Sequence, residues 1–340
     1  STPMRLRTTI IATVIFALLL YGFWHEAVRT GLVATLGGHI GSAFACFALL
    51  LALLWYVGFG AGEALAQFMG ANPTQANKGL EWGTRRRIRV LAPAALAIPY
   101  CVFALPRGEF HASYALGLAA LPIALAVLLG FSEFPSKFAF TWQDGVVLLI
   151  IAVVLEAGVF SGAWPYSGLG SLPKLYLADV ALYLYVVVRR LEGIGYSFIP
   201  QWNDFAVGLR EWAFFLPFAM GLGFATHFIH FYPRVPSAGH VIGAFLVIFL
   251  LTAIPEELFF RGILQNLLER RIGRKLALII TACLFGLSHF HKGAAFNWRY
   301  VMIAAVAGIF YGRAWRARRR LFASALTHTL VDVVWGLWFR

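Results

Sequence analysis

Charge is what this chain has least of. Only 13% of its 340 residues are charged, where a soluble globular protein carries about a quarter. Acidic side chains are the scarcer sign, 15 against 28 lysines and arginines. Cysteine is nearly absent as well. Cys46, Cys101 and Cys283 stand singly in apolar stretches with no CxxC spacing, so no disulfide or zinc framework follows and they read as small buried hydrophobes. There is no HExxH segment to mark a zinc protease. No internal repeat or low-complexity tract interrupts the chain, and its apolar runs do not alternate as the strands of a membrane β-barrel would.

What remains is a succession of continuous apolar segments. Those near 8–24, 41–61, 90–105, 114–131, 145–160, 175–188, 205–224, 241–264, 276–289, 300–311 and 321–338 are each close to the length that crosses a hydrocarbon core of about 30 Å. The reading is an all-α, polytopic helical membrane protein with about 11 transmembrane helices. The sixth and tenth segments are short. Arg5 and Arg7 before the first apolar run resemble a signal peptide, but no clear small-residue cleavage site follows, so an uncleaved first span is expected.

The formal charge of +13 does not indicate nucleic acid, because no basic domain outside the apolar segments carries it. Arg85–Arg87, Arg189-Arg190, Arg270-Arg271 with Arg274-Lys275, and Arg316–Arg320 all lie in short connections. With the N-terminus in the cytosol, cytosolic connections hold about 19 of the 28 lysines and arginines and the other side about seven. The positive-inside rule then puts the C-terminus outside. A composition rich in Ala, Leu, Arg and Gly points to a bacterial cytoplasmic membrane. The polar, basic stretch 68–89 and the Gly- and Pro-bearing stretch 192–204 are candidate boundaries, and the chain divides at 204/205 into N-terminal helices (1–204) and a C-terminal bundle (205–340). Gly37 with Gly41 and Gly58 with Gly62 have the spacing of close helix packing.

The rare ionisable groups concentrate near the C-terminus. Pro255-Glu256-Glu257-Leu258-Phe259-Phe260-Arg261, Phe285-Gly286-Leu287-Ser288-His289 and His328-Thr329-Leu330-Val331-Asp332 all lie in apolar segments. An ionisable side chain at membrane depth is costly and usually functional. Glu257 and Arg261, four apart, share a helix face in the order that favours an ion pair. Glu256 points about 100° away and is the carboxylate placed to act on water, as a stronger base in an apolar site. His328 and Asp332, also four apart, put an imidazole and a carboxyl on one face. Phe285 precedes His289 by one turn and would exclude bulk water. At 1.5 Å per residue, Glu256, His289, His328 and Asp332 reach roughly the same depth, about 10–20 Å.

Two chemistries suit these groups. Glu256 and His289 can activate a water while His328 and Asp332 stabilise the oxyanion. Alternatively Glu256, His289 and His328 can hold a divalent metal such as zinc. The residue types serve both.

In these three motifs the chain resembles the CAAX protease and bacteriocin-processing family (CPBP, or ABI), which includes the Ras-converting CAAX endopeptidase. That family's pattern is EExxxR, then FxxxH, then HxxxN or HxxxD, on separate membrane helices. Glu256, Glu257 and Arg261 match the first element, Phe285 and His289 the second, His328 and Asp332 the third. The resemblance covers about 205–340. It implies an intramembrane glutamic-type peptidase working without a metal or other cofactor, with Glu256, His289, His328 and Asp332 catalytic and Glu257, Arg261 and Phe285 supporting them. Asp332 stands where CAAX-processing members have Asn. An aspartate donates to an oxyanion only when protonated, and otherwise orients His328 or binds a cation. The expected substrate is a membrane-associated protein or peptide, such as one with a C-terminal membrane-anchored sorting tail. The rival readings are a non-catalytic bacteriocin-immunity or scaffold protein and, behind it, a proton-coupled transporter using Glu156 and Asp179. Glu156 and Asp179 otherwise read as structural hydrogen-bonding groups, Arg210-Glu211 as an interfacial anchor, His227, His230 and His291 as interfacial, and Trp298, Tyr300 and Trp335 as belt or packing aromatics.

Overall fold

The computed structural model describes residues 10–22, 45, 48, 51–52, 56–58, 89–130, 140–166, 169–293 and 296–339. Among them the only strand-like pairing is an isolated bridge between Phe231 and Phe339; the rest of the regular structure is helical. Five of the described helices are long and apolar enough to cross a membrane: Arg89–Arg107, Ala112–Gly130, Trp202–Ala225, Ala238–Ile272 and Leu321–Trp338. The chain is an integral, all-α membrane protein. Every expected span has a helical counterpart except 41–61, which falls largely outside the described residues, as do the stretch 68–88, the pair Gly37 and Gly41, and Gly62. The described chain forms two compact units, 1–192 and 193–340.

The first unit contains α1 (Ile10–Gly22), α2 (Arg89–Arg107) and α3 (Ala112–Gly130), then α4 (Trp142–Glu156) and α5 (Leu172–Leu182), which runs on as a π-helix over Tyr183–Val188. A capping box starts α4: Asp144 N–H donates to the Thr141 hydroxyl at 3.2 Å and Thr141 N–H donates to the Asp144 carboxylate at 3.0 Å, which satisfies end groups that nothing in the helix can reach. The same carboxylate receives the buried Arg189 guanidinium at 3.3 Å. Tyr176 on α5 donates to the Leu118 carbonyl of α3 at 2.7 Å. Glu156 is exposed at the end of α4. Asp179 is buried, and its Oδ1 has no hydrogen-bond partner among the described residues, so the hydrogen bond expected there is not found at that oxygen.

The second unit contains α6 (Trp202–Ala225), α7 (Ala238–Ile272), α8 (Arg274–Leu287), α9 (Trp298–Arg318) and α10 (Leu321–Trp338). Asp204 closes a capping box with Gln201 at the head of α6 and also takes the Arg320 guanidinium at 2.9 Å. Ser237 and Asn297 cap α7 and α9 through their side chains. The tenth segment, short by hydropathy, is a helix of 21 residues. Its last turns carry Arg313 and Arg316, which apolarity counting rejects. Both are matched by buried carboxylates: Arg313 meets Glu211 at 2.8 Å and Arg316 meets Glu269 at 2.9 Å. Arg319 adds a second cation on Glu269 at 2.6 Å. Glu211, 1% exposed, thus ties α6 to α9 as well as pairing with Arg210 at 2.9 Å.

α7 is not a uniform helix. It passes through π-turns at Phe249–Ala253 and Leu258–Gln265, with one α-turn, Ile254–Glu257, between them. Pro255 explains the first. Proline has no N–H for the i−4 carbonyl, and the chain widens ahead of it so that Ile254 N–H reaches back five residues to the Phe249 carbonyl. Local π-adjustments are how apolar helices keep backbone groups satisfied around proline. The interruption sits at Glu256 and Glu257.

Candidate active site

Glu257 is the centre of the cluster and is fully buried. Arg261 Nη1 donates to its Oε1 at 2.9 Å, the ion pair that the four-residue spacing predicts. His328 Nδ1 lies 2.8 Å from the same oxygen. The Ser324 hydroxyl donates to Oε2. Ser324, His328 and Asp332 follow one another at four-residue steps on α10, so a single stripe of that helix faces α7.

The far nitrogen of His328 looks toward the two more accessible carboxylates. Nε2 is 3.5 Å from Asp332 Oδ2 and 3.8 Å from Glu256 Oε2. The Glu256 side chain is 13% exposed and that of Asp332 30%, against 3% for His328. The carboxylates at the open side of the site are therefore Glu256 and Asp332, while Glu257 lies behind the imidazole.

Arg261 is also fully buried. Beyond Glu257 it donates from Nη2 to the Gly308 carbonyl at 3.1 Å, and its guanidinium carbon lies 4.4 Å from the centre of the Phe285 ring. Close approach of α9 makes this reach feasible. A Cβ added at Gly308 would sit 3.0 Å from Ala282 Cα and 3.2 Å from Arg261 Nη2.

His289, 5% exposed, hangs from the end of α8. Its Nδ1 is 2.8 Å from the Phe285 carbonyl and 3.2 Å from the Ser288 hydroxyl. A carbonyl oxygen only accepts, so Nδ1 carries the hydrogen and Nε2 is the atom that can take one. The Phe285 ring stands between the imidazoles, its centre 4.8 Å from that of His289 and 5.6 Å from that of His328. Phe285 thus contacts both histidines and the arginine.

The structure brings Glu256, Glu257, Arg261, His328 and Asp332 into direct proximity and joins His289 to them through the aromatic ring. Among the described residues no group of three His, Cys, Asp or Glu side chains is arranged to hold a metal ion. His227, His230 and His291 are exposed.

Sequence reading missed two members of this site. Ser324 is one. Tyr311, fully buried on α9, is another: its ring stacks on His328 with centres 4.6 Å apart and planes 14° from parallel. Tyr300, read from the sequence as a belt or packing aromatic, packs at 4.8 Å against both His289 and Trp335. Tyr300 and Trp335 are thus site-packing residues, whereas Trp298 is exposed. Trp335 also lines an apolar recess with Trp212, Phe215, Met220, Phe228 and Val331, next to the histidine side of the cluster.

Residues 238–334 match the family described as Rce1-like, type II CAAX prenyl endopeptidase. The match spans the second part of the second unit and all three motifs, and that segment is similar to this CAAX protease family. No curated protein and no solved structure matches the chain.

Proposed function

We propose that this protein is an intramembrane endopeptidase that hydrolyses a peptide bond of a membrane-associated protein or peptide. The observation that carries the reading is the convergence of Glu256, His328 and Asp332, with Glu257 and Arg261 buried behind them. So many ionisable groups in apolar helices are costly unless used. The family similarity over 238–334 supports a peptidase.

In this reading Glu256 takes a proton from water, assisted by His289 through Nε2, and the resulting hydroxide attacks the scissile carbonyl. The negative charge then forms on the carbonyl oxygen. His328 Nε2, when protonated, is the donor beside it. Asp332 in its ionised form cannot donate, so its work is to orient and balance the His328 imidazole at 3.5 Å. The proton held by Glu256 returns to the leaving amine, which completes hydrolysis. No step passes through a metal.

The substrate we favour is a secreted peptide precursor or a protein with a C-terminal membrane-anchored sorting tail. The apolar recess around Trp335 and Phe228 suits an apolar portion of it. The family description names prenyl-directed CAAX cleavage, and a prenylated substrate is the alternative within the same reaction. The enzyme would act in the bacterial cytoplasmic membrane, with the N-terminus cytosolic.

The test compares membranes of the native host expressing wild type, Glu256→Gln and His289→Ala, by mass spectrometry of peptide termini. Termini that vanish in both variants identify the peptidase and its substrate. The same termini in all three folded proteins would overturn the reading in favour of a non-catalytic immunity or scaffold protein.

A further inference from the structure

We infer that Ser324 is a positioning residue of this site: with Glu257 it fixes the hydrogen of His328 on Nδ1, so that every proton His328 gives or takes passes through Nε2. The inference rests on the catalytic reading for its consequence, but its geometry stands apart from that reading.

Ser324 is fully buried, and its hydroxyl lies against two acceptors, Glu257 Oε2 and, at 2.9 Å, the Tyr311 carbonyl. A hydroxyl has one hydrogen to donate. The Tyr311 carbonyl lies inside α9, where the helix ladder already supplies it with a donor. The hydrogen therefore belongs to the carboxylate, where a charge-assisted bond is stronger.

Glu257 is then held by three donors: Arg261 Nη1 on Oε1, Ser324 on Oε2, and His328 Nδ1 on Oε1. A carboxylate fixed in this way offers Nδ1 an acceptor only, so Nδ1 keeps its hydrogen whether His328 is neutral or charged. The stacked ring of Tyr311 prevents the imidazole from rotating away. Nε2, facing Glu256 and Asp332, is left as the exchanging atom. Ser324 and His328 come from the same stripe of α10, so one helix sets both ends of the relay.

The experiment is nitrogen-15 NMR of histidine-labelled full-length protein in detergent micelles, with the His328 signals assigned by their loss in His328→Gln. In the wild type Nδ1 should stay protonated through the titration while Nε2 alone changes. Ser324→Ala should mix the Nδ1–H and Nε2–H forms and lower kcat roughly tenfold, the scale of losing a hydrogen bond to a charged group, with KM nearly unchanged. Ser324→Thr, which keeps the hydroxyl, should restore the Nδ1–H form. Thr327→Val serves as the control for a buried hydroxyl on the same helix; it bonds the Gly208 and Ala323 carbonyls instead and should leave the His328 spectrum as it is. A neutral Nε2–H form in the wild type, or a His328 spectrum in folded Ser324→Ala identical to that of the wild type, overturns the inference. If no peptide is cleaved by any variant, the catalytic reading fails while the NMR result still decides the role of Ser324.

Discussion

Arg261 places its guanidinium carbon 4.4 Å from the centre of the Phe285 ring, with both side chains almost wholly removed from solvent. Its Nε has no hydrogen-bond partner among the described residues, so the aromatic face is part of what makes the buried charge tolerable. Desolvated cation–π contacts are worth about 2 kcal/mol. Phe285→Leu keeps most of the apolar area and removes the π face. It should lower stability by about that amount in a detergent unfolding titration. A variant as stable as the wild type would show that the ring only fills space.

Glu257 and Arg261 neutralise each other inside the bundle, 2.9 Å apart. Breaking such a pair from one side strands a charge and costs about 3–5 kcal/mol, whereas replacing both partners by apolar groups is far milder. Glu257→Met and Arg261→Met should each be severely destabilising. The double variant should be clearly less so than the sum of the two. Because Glu257 also holds His328 and Ser324, the double variant should regain stability and remain inactive. Additive losses in the cycle would mean that the two residues act independently.

The motif residues were legible because chemistry left them few alternatives. A four-residue spacing in an apolar segment commits Glu257 to Arg261 and aligns His328 with Asp332, and both relations are present at 2.9 and 3.5 Å. The partnership of Glu257 with His328 was not legible, because it joins α7 to α10 across 71 residues of chain. Ser324 carried a usable signal, being one turn before His328 on the same stripe, but a serine in a membrane helix is ordinarily bonded to its own backbone. The length of α9 was hidden for a different reason. Arg313 and Arg316 read as connection charges until the buried carboxylates of Glu211 and Glu269 come into view.

Gly308 belongs to that same hidden layer. A methyl group at this position would meet Ala282 Cα at 3.0 Å and Arg261 Nη2 at 3.2 Å; the backbone contact cannot yield without moving α8 from α9. Gly308→Ala should cost about 1–3 kcal/mol as overpacking and reduce activity by displacing Arg261. Gly336→Ala, where a methyl group meets nothing within 4 Å, should be near neutral. The comparison is made by thermal unfolding in one detergent. Equal behaviour of the two variants would remove the steric argument.

The connection between α2 and α3 offers a test by pH. Glu109 lies beyond the end of α2 and accepts from Arg107 Nη2 at 2.9 Å and from the Tyr166 hydroxyl at 2.6 Å. The Arg107 hydrogen bond, helped by Tyr166 and opposed by partial burial, holds its carboxyl below the ordinary glutamate value. A carboxyl whose folded value is depressed contributes stability that is fully present above its unfolded value and lost as pH falls through the folded one. The contribution is small, because the Glu109 side chain is 38% exposed and solvent screens the pair. Arg107→Met should therefore flatten the loss of stability on acidification through the carboxylate range, leaving near-neutral behaviour only slightly altered. Glu109→Gln should flatten the same part of the profile, and combining the two should add nothing further. A double variant with a flatter profile than either single one would assign the acid sensitivity to other carboxylates as well.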